Sequence, residues 1–226
     1  MVGTSAVRVG AKERDYWWTV AAVDPLALPL TRFLLGRSWA TPDRVTIASI
    51  VLGLPTGAAY ATGTRAGLVV GGLLFYGSFL LDCIDGKLAR ALEVSSPRGK
   101  VLDDLGDGAR RASASAGLAV HLWSVEGGAL FWLAVAYGFM AFYFSLISGD
   151  TRGEPRTGLG GRWSRSLARR RLLPTPGAPD VAALALILGP LTGLVAPAFV
   201  VADALLAVAI LLTVYRLLKG ASGEPR

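Results

Sequence analysis

The chain has 226 residues, 53% of them hydrophobic and only 17% charged, with a mean hydropathy of +0.50; this is too apolar for an ordinary soluble domain and suits one helical membrane bundle. A net charge of +7 and a pI near 10.0 would suit nucleic acid, but there is no base-reading motif and the basic residues fall mainly in loops on one side of the apolar runs, so the expected partners are membrane lipids, not nucleic acid. The lone cysteine, Cys83, excludes an intramolecular disulfide and fits a reducing compartment.

Met1 to Gly10 lacks the charged, apolar and cleavable succession of a signal peptide. From Ala11 to Arg37, basic residues interleave with Tyr16, Trp17, Trp18 and leucines, while Pro25 and Pro29 interrupt any straight span. This pattern predicts an N-terminal amphipathic helix lying in the membrane interface, with tryptophans at headgroup depth. The first crossing opens at Thr41-Pro42-Asp43, where proline suits a helix start, and runs to about Thr62. A second, from about Ala66 to Ala91, carries the Gly71-Gly72 pair, which favours close helix packing.

The most unusual chemistry lies where the second crossing turns into the third. Asp82 and Asp85 are three residues apart on one helix, Asp103 and Asp107 four apart on the next, so each pair projects from one helix face. Ala91 to Arg98, with Ser95-Ser96-Pro97 as a turn signal, is long enough to reverse the chain and bring the pairs together. Carboxylates converging at a membrane boundary repel one another unless a cation bridges them or some stay protonated. Without a second cysteine, and with its one histidine distant, the chain predicts a hard oxygen-liganded ion, Mg2+ or Mn2+. Gly86, Ala89, Gly99 and Gly106 leave room beside it, and Arg90 and Arg98 add charge suited to phosphate. Asp104 projects about 100 degrees away from Asp103 and stays outside the set.

The third crossing, about Gly99 to Leu122, continues through small residues; its Arg110 and Arg111 either touch phosphate or snorkel to the interface. His121 lies at the far end, expected at the interface. The fourth, about Gly128 to Ile147, is rich in aromatics that face lipid or pack. Ser148 to Pro179 is arginine-rich, a topology determinant or a grip for an anionic acceptor together with Arg110 or Arg111. Two last crossings, about Val181 to Ala196 and Ala198 to Leu218, complete an all-α integral membrane protein of six transmembrane helices. The whole chain reads as one membrane domain: an interfacial segment over 1–40, a six-helix bundle over 41–218 and a tail over 219–226. Positive loops at 1–41, 87–100 and 148–178 turn the aspartates towards the cytoplasm of a multi-pass cell-membrane protein.

Asp82-x2-Asp85-Gly86-x2-Ala89-Arg90-x8-Gly99-x3-Asp103-x3-Asp107 resembles the signature of the CDP-alcohol phosphotransferase family at all eight fixed positions. The resemblance implies a membrane enzyme that moves a substituted phosphoryl group from a CDP-linked donor to an alcohol and releases CMP. By it, Asp82, Asp85, Asp103 and Asp107 are expected to hold two divalent ions, and Asp107 to act as the base. Gly86, Ala89, Arg90, Ser96 and Gly99 would line the nucleotide and its diphosphate. In such proteins the first crossing begins with a Thr-Pro-Asn-x-x-Thr pattern; here Asp43 stands for the asparagine, so Asp43 and Thr46 either contact the nucleotide or Thr41 and Asp43 only cap the helix. The N-terminal helix is then a bare anchor or a shaper of the donor entrance, and a homodimer is implied.

The favoured reaction is transfer of a phosphatidyl group from CDP-diacylglycerol to a polar alcohol, phospholipid biosynthesis; the alternative is transfer of a phospho-alcohol from a CDP-alcohol to a lipid hydroxyl. The acidic-arginine pattern of the inositol-phosphate branch is missing from the arginine-rich loop. Acceptor-binding residues are otherwise open, with Arg110 and Arg111 as candidates. Two remote readings are a prenyl-diphosphate enzyme, whose acidic motifs lie far apart in sequence, and a cation transporter, whose acidic residues lie near mid-membrane.

Overall fold

The structure is a computed structural model that describes residues 9–94, 96–148 and 167–221. Ser95, residues 149–166 with most of the loop arginines, and residues 1–8 and 222–226 at the ends lie outside the described residues. A π-helical turn, Thr19–Val23, leads into α1 (Asp24–Leu35), followed by α2 (Pro42–Gly53), α3 (Thr56–Ala61), α4 (Arg65–Ala91) and α5 (Pro97–His121). A π turn, Leu122–Glu126, and a tight turn, Gly128–Leu130, precede α6 (Phe131–Ser148). Then come α7 (Ala178–Ala183), a π-helical segment Leu184–Leu188, α8 (Gly189–Thr192) and α9 (Val195–Ala221). Extended pairing among the described residues is confined to a bridge between Asp15 and Leu172.

The helices start where side chains satisfy their first N–H groups. Thr41 Oγ1 accepts from the Arg44 N–H at 3.4 Å, Thr64 Oγ1 from Gly67 at 2.9 Å and Ser96 Oγ from Gly99 at 2.9 Å. Pro42 and Pro97 occupy first positions, where a missing N–H costs nothing. Pro29, expected to interrupt, sits inside α1: its fixed φ is helical, and the helix gives up one hydrogen bond there.

Among the described residues, four helical stretches are long and apolar enough to cross a membrane: Pro42–Ala61, Arg65–Ala91, Gly128–Ser148 and Val195–Lys219. Two of the six expected crossings do not qualify on that ground. The 25-residue α5 is long enough but carries Arg98, Lys100, Asp103, Asp104, Asp107, Arg110 and Arg111 before its small-residue half, and Ala178–Thr192 is apolar but shorter. Burial accounts for α5, because Arg110, Ala114, Gly117 and Leu118 lie inside the molecule, screened by apolar neighbours.

Packing around the bend between α2 and α3 sets the position of α5. Pro55 breaks the helix, and Ser113 of α5 repairs the freed backbone: its Oγ donates to Leu54 O at 2.6 Å and accepts from the Gly57 N–H at 3.2 Å. A Cβ on Gly117 would lie 2.1 Å from Gly57 O, so glycine is required for this backbone approach. Gly71 and Gly72 pack as expected, one under the Tyr60 ring and the other under Leu191. Tyr60 is fully buried and donates to Leu186 O at 2.5 Å, tying α3 to the segment before α8. Buried Phe75, Leu118, Tyr137 and Phe199 continue this core, with Tyr137 and Phe199 edge to face at 5.3 Å. Trp132, Phe139 and Phe142 of α6 are exposed, as the aromatic pattern predicted.

The N-terminal helix shows Leu26, Leu30 and Phe33 on its exposed face. Its other side is buried against α4, where the Tyr76 hydroxyl donates to Ala22 O at 2.6 Å and Lys87 Nζ lies 3.0 Å from Asp24 Oδ1. His121 ends α5, as expected, and is buried there among its neighbours, with Nε2 3.7 Å from Glu126 Oε1.

Candidate active site and metal centre

The turn between α4 and α5 brings the acidic pairs together. Ligand oxygens of Asp82, Asp85 and Asp103 all lie within 4.8 Å of one another, the spacing at which one small cation reaches every one. Asp82 and Asp85 come from the last turns of α4, Asp103 from the second turn of α5. Asp85 is 5% exposed, and its Oδ2 is buried without a hydrogen-bond partner. A buried carboxylate oxygen left unpaired is costly. An all-oxygen donor set with one such orphan therefore fits a hard divalent cation.

Asp107 follows a different course. One turn beyond Asp103, it pairs with Arg110, and its Oδ2 lies 3.4 Å from Arg111 Nη2. Arg110, a candidate for acceptor contact, is only 3% exposed. Its guanidinium donates to Ser49 Oγ at 3.0 Å and Ser78 Oγ at 3.1 Å, and lies 3.1 Å from Asp82 Oδ1. The rings of Phe75 and Phe79 have their centroids 5.9 Å away. Ser49 and Ser78 also bond across the α2–α4 contact, Ser49 Oγ to Ser78 O at 2.9 Å and Ser78 Oγ to Ser49 O at 2.8 Å. Arg110 is thus an internal cation that holds two aspartates from two helices in place. Arg111 is more exposed and, with Arg110, Asp107 and Pro179, lines a small side cavity of about 50 Å³.

Above the carboxylates opens a cavity of about 970 Å³, large enough for a nucleotide. Asp82, Asp85, Asp103 and Asp107 line it, as does every residue expected at the nucleotide: Asp43, Thr46, Gly86, Ala89, Arg90, Ser96 and Gly99. Thr41 supplies the α2 cap, so Asp43 faces the cavity, and a Cβ on Gly99 would come within 3.2 Å of Asp43 Oδ1. Thr46 is turned back, its hydroxyl donating to Pro42 O at 3.1 Å. Ser96 both caps α5 and lines the cavity. Arg98 is exposed and does not line it, whereas Lys12, Arg37, Lys87 and Lys100, which sequence reasoning left out, do. Asp104 is exposed and outside the carboxylate group, in keeping with its helix angle.

No sequence among curated proteins matches this chain. Among solved structures, the Mycobacterium tuberculosis phosphatidylinositol phosphate synthase with CDP-DAG bound is similar in fold, with a TM-score of 0.60 and 22% identity over 89% of this chain and 96% of that one. A second structure of that synthase, in complex with manganese and citrate, aligns at a TM-score of 0.49 and 21% identity over 83% and 88%. The family model described as CDP-alcohol phosphatidyltransferase matches residues 39–215, from the residues before α2 into α9 and across the whole carboxylate site. This chain belongs to the CDP-alcohol phosphatidyltransferase family.

Proposed function

We propose that the protein transfers a phosphatidyl group from CDP-diacylglycerol to the hydroxyl of a polar alcohol and releases CMP. The observation that carries this reading is the group of Asp82, Asp85 and Asp103 oxygens within 4.8 Å at the wall of a cavity that the other signature residues also line. That the similarly folded synthase was solved with CDP-DAG bound supports the same donor.

In this reading Asp82, Asp85 and Asp103, joined by Asp107 for a second ion, would hold Mg2+ or Mn2+, and the charge this supplies when bound would offset that of the diphosphate and of the CMP leaving group. Gly86 and Gly99 leave the diphosphate room, Arg90 offers a fixed positive charge, and Asp43 with Thr46 borders the base and ribose. The acceptor oxygen forms its bond to the β-phosphorus as the bond from that phosphorus to the bridging oxygen breaks, and this oxygen leaves with CMP. Asp107 accepts the acceptor hydroxyl proton, oriented by Arg110 and Arg111. The side cavity beside Arg111 is where an acceptor would approach. The six crossings comprise the joined α2 and α3, α4, α5, α6, the stretch from α7 to α8, and α9. The excess of basic residues in the loops supports a cavity that opens at the cytoplasmic face of the cell membrane, where CDP-linked donors form, and the family signature supports a homodimer.

The test supplies purified protein with CDP-diacylglycerol and a panel of polyols and sugar phosphates, following CMP release and identifying the lipid by mass spectrometry. CMP release that depends on a polar alcohol supports the reading. Release seen only with a CDP-alcohol and diacylglycerol would reverse donor and acceptor, and no release with either pair would overturn it.

A further inference from the structure

The residues before α1 are more than an interfacial anchor. Gly10 has φ of +77°, and a Cβ there would lie 2.0 Å from Lys87 O, so glycine lets the chain lie directly on the last turns of α4. There the signature arginine grips it: Arg90 Nε donates to Gly10 O at 2.6 Å. On the other side this strap is fastened by a segment far along the chain. Arg171 accepts the Asp15 N–H on its own carbonyl at 2.8 Å, and the Leu173 N–H returns a bond to Asp15 O at 3.0 Å. The Arg171 guanidinium donates to Lys12 O at 3.0 Å through Nη2 and to Asp24 Oδ2 at 2.9 Å through Nη1. Asp24 in turn meets Lys87, and both are buried, at 3% and 1% exposure.

Arg171 makes these contacts from a left-handed backbone, φ of +61°. A non-glycine residue keeps such a conformation only where its surroundings hold it there. The strap it secures brings Lys12, Asp15 and Tyr16 to the wall of the large cavity that the carboxylates also line.

We infer that Arg171 is a positioning residue for the transfer reaction: through Lys12 and Asp24 it holds the Gly10 to Tyr16 strap as a wall of the donor cavity and keeps Arg90 in its place. The inference rests on the cavity being the CDP-donor site. A partly exposed cation held by one carboxylate and one carbonyl, of which Lys12 borders the site and Asp24 anchors the strap from behind it, acts on capture of the donor more than on the chemical step.

The experiment compares wild type with Arg171→Gln and Arg171→Lys in KM and kcat for CDP-diacylglycerol and in calorimetric binding of CDP with Mg2+. Arg171→Gln is expected to raise KM and the CDP dissociation constant about tenfold, the equivalent of about 1.4 kcal/mol, with kcat nearly unchanged. Arg171→Lys keeps the charge but not the two-sided grip and falls between them. A second arm adds Asp15→Cys and Leu172→Cys to Arg171→Gln, since these bridge partners are neighbours. Oxidation, verified by peptide mass, is expected to refasten the strap and lower KM relative to the same protein reduced. Should Arg171→Gln not accumulate in membranes, the oxidised and reduced forms of the cysteine pair in the Arg171→Lys protein give the same reading. Unchanged KM and CDP affinity, a loss confined to kcat, or oxidation without effect would each overturn the inference. Wild-type protein that binds no CDP sinks the donor reading itself, a result distinct from equal binding by wild type and variant.

Discussion

At the scale of single residues, the aspartates divide by their neighbours. Asp82, Asp85 and Asp103 share one small volume, while Asp107 is held by two arginines. Replacing Asp85 by Asn should therefore abolish Mn2+ binding, read by electron paramagnetic resonance, together with CMP release. Asp107→Asn should still bind CDP and lose turnover by about 10²–10⁴-fold, the range for a general base; turnover at the wild-type rate would remove that assignment. Arg110 makes a separate prediction. Because Arg110 is buried between Asp82 and Asp107, Arg110→Gln leaves Asp82 without its cation and Asp107 with Arg111 alone, and should cost about 3 kcal/mol, the lower end of the penalty for removing half of a buried pair. Thermal inactivation of the detergent-purified protein measures it; a variant as stable as wild type would show that the aspartates find other partners.

Among the elements, the decisive contact is the crossing of α3 over α5, where Gly57 and Gly117 touch backbone to backbone and Ser113 repairs the bend at Pro55. This contact sets the height of α5 and hence where Asp103 and Asp107 meet α4. A leucine at Gly117 must push the helices apart, so Gly117→Leu should lower the temperature of thermal inactivation, with about 1–3 kcal/mol lost to overpacking. The carboxylates should separate too, and Mn2+ affinity should fall although the substitution lies far from them. Unaltered metal affinity would mean that the α4–α5 turn alone organises the site. Ser113→Ala tests the repair of the bend: it leaves Leu54 O and the Gly57 N–H without that partner and should destabilise by about 1–3 kcal/mol.

For the whole molecule, charge asymmetry and the position of the cavity make a joint prediction. Cysteines introduced at Arg98 and Arg65, which lie at opposite ends of α4 and its following turn, should label from opposite sides of the membrane, with the Arg98 position reached from the cytoplasm. Labelling of both from one side would contradict the crossing of α4.

Much of this architecture was legible in the amino-acid sequence because it depends on local periodicity and spacing. Thr41 and Pro42 start a helix and Ser96 and Pro97 mark the turn into the next through features within one turn, and the x2, x8 and x3 intervals of the signature hold whatever the rest of the chain does. The Gly71-Gly72 pair announced a close contact but not that Tyr60 and Leu191 would fill it. Only the tertiary structure decided that Arg110 is an internal counter-ion, since its serines come from α2 and α4 and its aspartates from α4 and α5. It alone laid the N-terminal strap between Arg90 and Arg171, joining residues about 80 and 160 positions apart. Hydrogen bonds and ion pairs of that range leave no period in a sequence, because each partner is an ordinary polar residue until the packed helices bring the two within about 3 Å of each other.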